Sequence, residues 1–267
     1  KSSSYKFTLT PTEPTTTGND KQLTVTNAKD INSFIYPSIS SLTNLKFNTV
    51  LTLMQQYGAT IQFDASATYK YTSTSGKLTT WTDIIGGVQL TQANDSLRPS
   101  LTTQNGKNAF AFSEPSKQVM KYIHPGFDTG TFRTCMIVYR NTATGSYSGP
   151  IGCTQSEYVA HGGANNTLLN GNYNSGGHSD TWINHTQVGT TSSGIDTIPR
   201  YHVNTLAVQT HIYNVDKSTK IDAIGGNTMY STGYVNGIIC EVVFFPTALS
   251  VNDRTTLVNS LITKWGV

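Results

Sequence analysis

The run Gly237-Ile-Ile-Cys-Glu-Val-Val-Phe-Phe245, then Pro246, then Ser250-Val-Asn-Asp253 and a tail ending Lys264-Trp-Gly266, decides the fold. The first part is apolar and β-branched and too short for an ordinary helix, so it reads as a strand deep in a sheet. Pro246 ends that strand. Ser250 can accept a backbone N–H as an N-cap, and Asp253 sits in the positive first turn of the helix that must follow. Leu257, Val258, Leu261, Ile262 and Trp265 recur at three- and four-residue spacing, so this helix carries one apolar stripe, and Gly266 offers a stop. The stripe has to be buried on a sheet. Upstream, Ile224-Gly-Gly-Asn227 reads as a strand end and turn.

Strand signals continue toward the N-terminus. Thr60-Ile-Gln-Phe-Asp-Ala-Ser66 alternates with period two, Asn105-Gly106 is a hairpin dipeptide leading into Ala109-Phe-Ala-Phe112, and Arg98-Pro99 precedes another strand. Thr134-Cys-Met-Ile-Val-Tyr-Arg140 is a continuous apolar run, hence a strand covered on both faces. His202–Gln209 and Thr210–Val215 are expected as two further strands. Residues 1–20 are a Pro/Thr-rich polar tract that cannot form its own core. Between Ser41 and Tyr57, Leu42, Leu45, Val50, Leu53, Met54 and Tyr57 fall on one helical face, and Gly58 stands at the C-cap position. The organisation expected is an arm over 1–57 with a helix at 41–57, then a β-sandwich over 58–267.

These elements resemble the laminin-G-like, concanavalin-A-like jelly-roll domains of phage structural and bacterial surface proteins. The closing strand, the Ala248-Leu-Ser250 turn and the Lys264-Trp-Gly266 ending resemble that group's C-terminal segment. Thr60–Ser66 resembles its opening strand, Trp81-Thr-Asp-Ile-Ile-Gly86 its "W-x-D-x-x-G" turn, and Thr181–Gly189 its strand-turn-strand hairpin, with His185 where a glycine is usual. The resemblance implies an all-β, concanavalin-A-like (laminin-G-like) antiparallel β-sandwich with a short C-terminal helix and an N-terminal extension. Function does not follow from it, because the same sandwich carries lectins, glycosidases and structural modules.

Composition narrows the classes. Only 12% of the 267 residues are charged, against about a quarter in an average domain. Thr, Ser, Asn and Gly are plentiful, a profile that suits an extracellular or virion-surface β protein. The net charge of +3 comes with no basic block, so nucleic acid and anionic membranes are not expected partners, and no 18-residue apolar span exists. Cys135, Cys153 and Cys240 are an odd set; Cys135 and Cys240 lie in apolar runs and are expected as free, buried thiols, with no essential disulfide.

The chemistry expected is recognition rather than catalysis. A glycosidase needs two carboxylates about 5–5.5 Å apart to retain configuration, or about 6.5–9.5 Å apart to invert. The only glutamates are Glu13, Glu114, Glu157 and Glu241, and no "E-x-D-x-x-E" strand pattern occurs. Glu241, alone among apolar residues, is expected to face solvent or to pair with a lysine or arginine. Asp64 and Asp83 are expected as acceptors of turn N–H groups, and Trp81 as a buried indole anchoring its turn. Histidine spacings are not diagnostic for zinc and no calcium loop is present, so neither metal nor cofactor is expected.

The segment 141–185 is the candidate ligand surface. Tyr147, Tyr158, His161, Tyr173, His178 and Trp182 are interleaved with Asn, Ser and Gly, which combines rigid aromatic area with adaptable hydrogen bonding. Strands such as Ile151–Cys153 and Tyr158–Ala160 are the most expected there. The function expected is a non-enzymatic surface adhesion module for a glycan or other cell-surface ligand. Two rivals are a virion structural protein tethered to neighbouring subunits through residues 1–57, and a polysaccharide hydrolase using Glu157 and Asp180. Phe7, Leu9, Leu23 and Val25 alternate with polar residues, and such pieces could join a sheet edge of another subunit, including a second copy.

Overall fold

The computed structural model describes residues 51–122, 132–142, 149–153, 158–159, 162–163, 167–169, 179–189, 197–199, 205–217, 221–226 and 234–267. In chain order the elements are α1 (Leu53–Gln56), β1 (Ile61–Asp64), β2 (Tyr71–Thr74), β3 (Lys77–Thr82), β4 (Gln89–Thr91), β5 (Ser100–Gln104), β6 (Lys107–Phe112), β7 (Met120–Lys121), β8 (Phe132–Asn141), β9 (Ile151–Cys153), β10 (Tyr158–Val159), β11 (Gly162–Gly163), β12 (Thr167–Leu169), β13 (Ser179–Ile183), β14 (Thr186–Gly189), β15 (Thr197–Pro199), β16 (Ala207–Lys217), β17 (Ile221–Ile224), β18 (Gly237–Phe245) and α2 (Val251–Trp265). The chain is all-β. One antiparallel sheet runs β10-β9-β17-β7-β4-β3-β5-β6-β18-β8-β16-β13-β14, with β1 also on β18 and β2 on β3, and β11-β12-β15 form a small separate sheet.

β18 holds the centre, as its apolar run requires. It pairs with β8 on one side, and with β6 and β1 on the other. Both faces of β18 are covered. On one, Trp81 of β3 packs edge-on against Phe63 of β1, ring centroids 5.4 Å apart, and against Phe110 of β6 at 4.7 Å. Since β3 and β1 share no hydrogen-bond ladder, the sheet has folded over on itself into two sandwich-like layers. On the other face lies α2, whose Leu257, Val258, Leu261 and Trp265 are buried, with Ile262 at the margin.

The helix ends are built from the residues that mark them in the sequence. Ser250 Oγ accepts the Asp253 N–H at 3.2 Å and donates to Asp253 Oδ2 at 2.7 Å. At the other end Gly266 takes a left-handed conformation, φ 67°, and returns its N–H to Ile262 O. The turn between β5 and β6 completes the C-terminus: Gln104 Nε2 donates to Trp265 O and Asn105 Nδ2 to Lys264 O. That turn is the expected Asn-Gly hairpin, with φ of 49° and 70° at its two central residues, the signs a type I′ turn needs.

Trp81 and Asp83 do separate jobs within one short motif. Trp81 fills the core. Asp83 accepts the N–H groups of Ile85 and Gly86, as a turn carboxylate does, but its Oδ1 also accepts the buried Gln62 N–H of β1 at 2.6 Å. Ile84 N–H then donates to Gln62 O at 2.9 Å. The turn therefore closes the outer edge of β1, which would otherwise leave strand polar groups unpaired.

Several expectations need correction. Of the helix expected over 41–57, residues 41–50 lie outside the described ones; in the rest the helix is the single turn Leu53–Gln56. It starts late because Thr52 acts as a cap instead: its Oγ1 accepts the Gln55 N–H while Gln55 Oε1 accepts the Thr52 N–H. Gly58, φ 85°, does end it. The two strands expected at His202–Gln209 and Thr210–Val215 are one strand, β16. No turn residue separates Gln209 from Thr210, and both are fully buried between β8 and β13. The 141–180 stretch carries β11 and β12 beyond the strands expected. At the β13–β14 turn, Asn184 alone is left-handed, φ 53°, so no type I′ turn forms; Asn184 instead locks to Val208 through its N–H and its Oδ1.

Replacing Asp83 by alanine strands the buried Gln62 N–H and should lower stability by about 1–3 kcal/mol, read from the midpoint of urea unfolding.

Candidate functional site

The densest polar chemistry among the described residues lies under α2. In the antiparallel register Asp64 of β1 stands directly opposite Glu241 of β18, and directly opposite residues point to the same face. Two carboxylates are thus pressed together beneath the helix. Lys264, near the end of α2, reaches down between them. Its Nζ lies 2.6 Å from Asp64 Oδ2 and 2.7 Å from Glu241 Oε2. Trp265 Nε1 donates to the same Glu241 oxygen at 2.8 Å, and Gln62 Nε2 donates to the other at 2.6 Å. Asp64 Oδ1 is held by Ser66, through its N–H at 2.9 Å and its hydroxyl at 2.6 Å.

Burial is the dominant force on these groups. Glu241 is 1% exposed, and desolvation, then the Asp64 charge, push its pKa above the usual glutamate value against the pull of Lys264 and Trp265. Lys264, Trp265 and Gln62 all donate to it, which favours the charged form against that burial. For Lys264 burial favours the neutral amine, but the two carboxylates outweigh burial and hold its pKa above the ordinary lysine value. Glu241 therefore pairs with a lysine, one of its two expected roles, and does not face solvent. Asp64 is the turn acceptor expected and an ion-pair partner as well.

A second polar row lies on the opposite face of the same sheet. Gln209 and His211, two apart on β16, point the same way as Thr181 of β13, and all three are fully buried. Gln209 Nε2 meets His211 Nε2 at 2.7 Å, and Thr181 Oγ1 meets His211 Nδ1 at 3.1 Å. Gln209 Oε1 has no hydrogen-bond partner, which makes this row costlier than an apolar core. Cys135, across from His211 on β8, is a free thiol whose pKa burial pushes well up, and Cys240 is likewise free with a raised pKa. Neither is placed for nucleophilic work.

Of the six residues expected to bind ligand, Tyr147, His161, Tyr173 and His178 lie outside the described residues. So does the side chain of Tyr158, whose backbone belongs to β10. Trp182 sits on β13, half-buried, on the α2 side of the sheet, with the Arg254 guanidinium 4.3 Å from its ring centroid. Among the described residues, of the expected set only the Trp182 side chain is seen, and the polar cluster that forms is Asp64, Glu241 and Lys264. Their grouping had one signal in the sequence: a lone glutamate inside an apolar strand needs a cation, and Lys264 heads the tail of the helix that follows it. Among the described residues no three His, Cys, Asp or Glu side chains gather as a metal site requires, and no helix is long and apolar enough to cross a membrane.

No family model matches the chain, and no curated protein does. Among solved structures it is similar to Trypanosoma rangeli sialidase in complex with the inhibitor DANA, at 12% identity and a TM-score of 0.39. The similarity covers 74% of this chain but 32% of that one. So loose an overlap carries no argument about function.

Lys264→Met leaves two facing carboxylates without their cation. Removing one partner of a buried ion pair costs about 3–5 kcal/mol. Thermal unfolding should show a loss of that size, with the near-ultraviolet signal of Trp265 altered.

Proposed function

We propose that the chain is a non-enzymatic, surface-exposed recognition module that binds a glycan or another cell-surface ligand through the 141–185 segment. Its sandwich is of the laminin-G-like, concanavalin-A-like kind, and it works at the surface of a phage virion or a bacterial cell. The observation that carries the reading is where that segment is inserted. It runs from the end of β8, where Asn141 is buried, to β13, with β16 hydrogen-bonded to both strands, and its own β9 and β10 join the far end of the same sheet. A Tyr-, Asn- and Gly-rich stretch is thus borne on strands fixed to one another, the usual arrangement of a recognition loop on a scaffold.

The fate of the carboxylates supports the non-enzymatic side. Asp64 and Glu241 come together, but Lys264 fills the space between them, and Glu241 has almost no contact with solvent. A sugar ring and its attacking water need room between the two acids. This pair offers none. Of the residues named for the hydrolase rival, Glu157 lies outside the described residues and Asp180 stands on β13 facing the α2 side.

The test is a glycan array probed with the purified chain and with Tyr158→Ala and Tyr173→Ala. Specific binding, weakened at least about tenfold by either change, corresponding to about 1.4 kcal/mol, supports the reading. An array with no bound sugar, together with unaltered attachment to host cells by both variants, removes it. Turnover of any glycan that disappears with Asp180→Asn overturns the non-enzymatic part.

A further inference from the structure

We propose that the Lys264 side chain forms an intramolecular isopeptide bond with the Asp64 side chain, with Glu241 as the proton carrier, so that β1 and α2 become covalently joined. Three features of the cluster point there: a lysine nitrogen against a carboxylate, a second carboxylate on the same nitrogen, and hydrogen-bond donors on the oxygen that would gain charge.

The geometry already approaches that of reaction. Lys264 Nζ is 2.6 Å from Asp64 Oδ2, so the carboxyl carbon is one C–O bond further on, near the separation of a reactive pair. The two groups are 200 positions apart in the chain, yet the β1–β18 register and the α2 stripe fix both ends. Asp64 Oδ1 accepts two hydrogen bonds from Ser66. When Nζ adds to Cγ, negative charge collects on Oδ1, and these donors stand where an oxyanion needs them. Oδ2, the oxygen beside Nζ, is the one that leaves.

The protons balance within the cluster. The ammonium gives one proton directly to Asp64 Oδ2, leaving a neutral amine and a carboxylic acid. Nζ attacks Cγ, a C–N bond forms, and Glu241 Oε2, 2.7 Å away, takes a second proton from the nitrogen. Glu241 passes that proton to Oδ2, the Cγ–Oδ2 bond breaks, and water departs. The amide keeps one N–H and Glu241 is a carboxylate again. No oxidant, metal or cofactor enters.

The link replaces the Lys264–Asp64 ion pair, whose burial is costly, by an amide, and leaves the Glu241 carboxylate to the Trp265 and Gln62 donors. Burial that raises the Glu241 pKa suits a group that must hold a proton briefly. Trp265 Nε1 and Gln62 Nε2 keep its carboxylate aimed during the transfer. The link would enclose nearly the whole sandwich, from its first strand to its last helix, and it stands independently of what the 141–185 segment binds.

The experiment is the intact mass of the full chain, purified folded and then denatured, followed by peptide mapping. The expected result is a mass one water below that of the sequence, with a branched peptide joining Asp64 to Lys264. Lys264→Arg keeps the charge and Asp64→Ala removes the acceptor; both should show the full mass. Glu241→Gln, checked for a cooperative melt, should retain both link partners and lose the link. A wild-type chain at full sequence mass overturns the proposal, as does a water loss that maps to other residues. A Glu241→Gln chain that links to the wild-type extent overturns the role given to Glu241.

Discussion

A carboxylate in the middle of the most buried strand is the constraint on which this structure turns. Glu241 interrupts the apolar run of β18, and an unpaired charge at that depth would cost several kcal/mol. The fold answers by bringing three donors to it, from β1 and from the end of α2. The helix is consequently held in register as well as in place. An apolar stripe alone could slide along a sheet, but a lysine and an indole that must both reach one carboxylate fix the helix along its axis.

The same economy governs the sheet edges. Asp83 closes β1 with a turn that also sends Trp81 into the core, so one short motif seals an edge and joins two layers. On the far side of the molecule Asn184 ties the β13–β14 hairpin to β16. The buried row of Thr181, Gln209 and His211 adds a hydrogen-bonded seam where an apolar core would have been cheaper. A platform specified in these ways can carry a long, compositionally adaptable stretch without being reshaped by it.

Much of this was legible in the sequence because it is local. The period-two run at Thr60–Ser66, the Asn105-Gly106 turn, the apolar run of β18 and the capped amphipathic helix each signal themselves within a few residues. What was not legible is non-local. The lone Glu241 signals its need of a cation, but nothing near it says that Asp64 stands opposite, since pairing across distant positions follows from register alone. The helix expected at 41–57 failed in its described part because periodicity ignored the capping strength of Thr52. The division of β16 failed because polar Gln209, Thr210 and His211 read as a boundary when they are buried. The aromatic residues assigned to ligand binding rested on composition, which locates a stretch but assigns no contacts.

The central claim is that α2 and β18 form one unit through Glu241. Native-state hydrogen exchange tests it most directly, since it resolves which segments open together. The account predicts that the amides of Leu257 to Trp265 and those of Ile239 to Phe244 are among the slowest to exchange and share one opening free energy. Helix amides that exchange readily while β18 remains protected would contradict it.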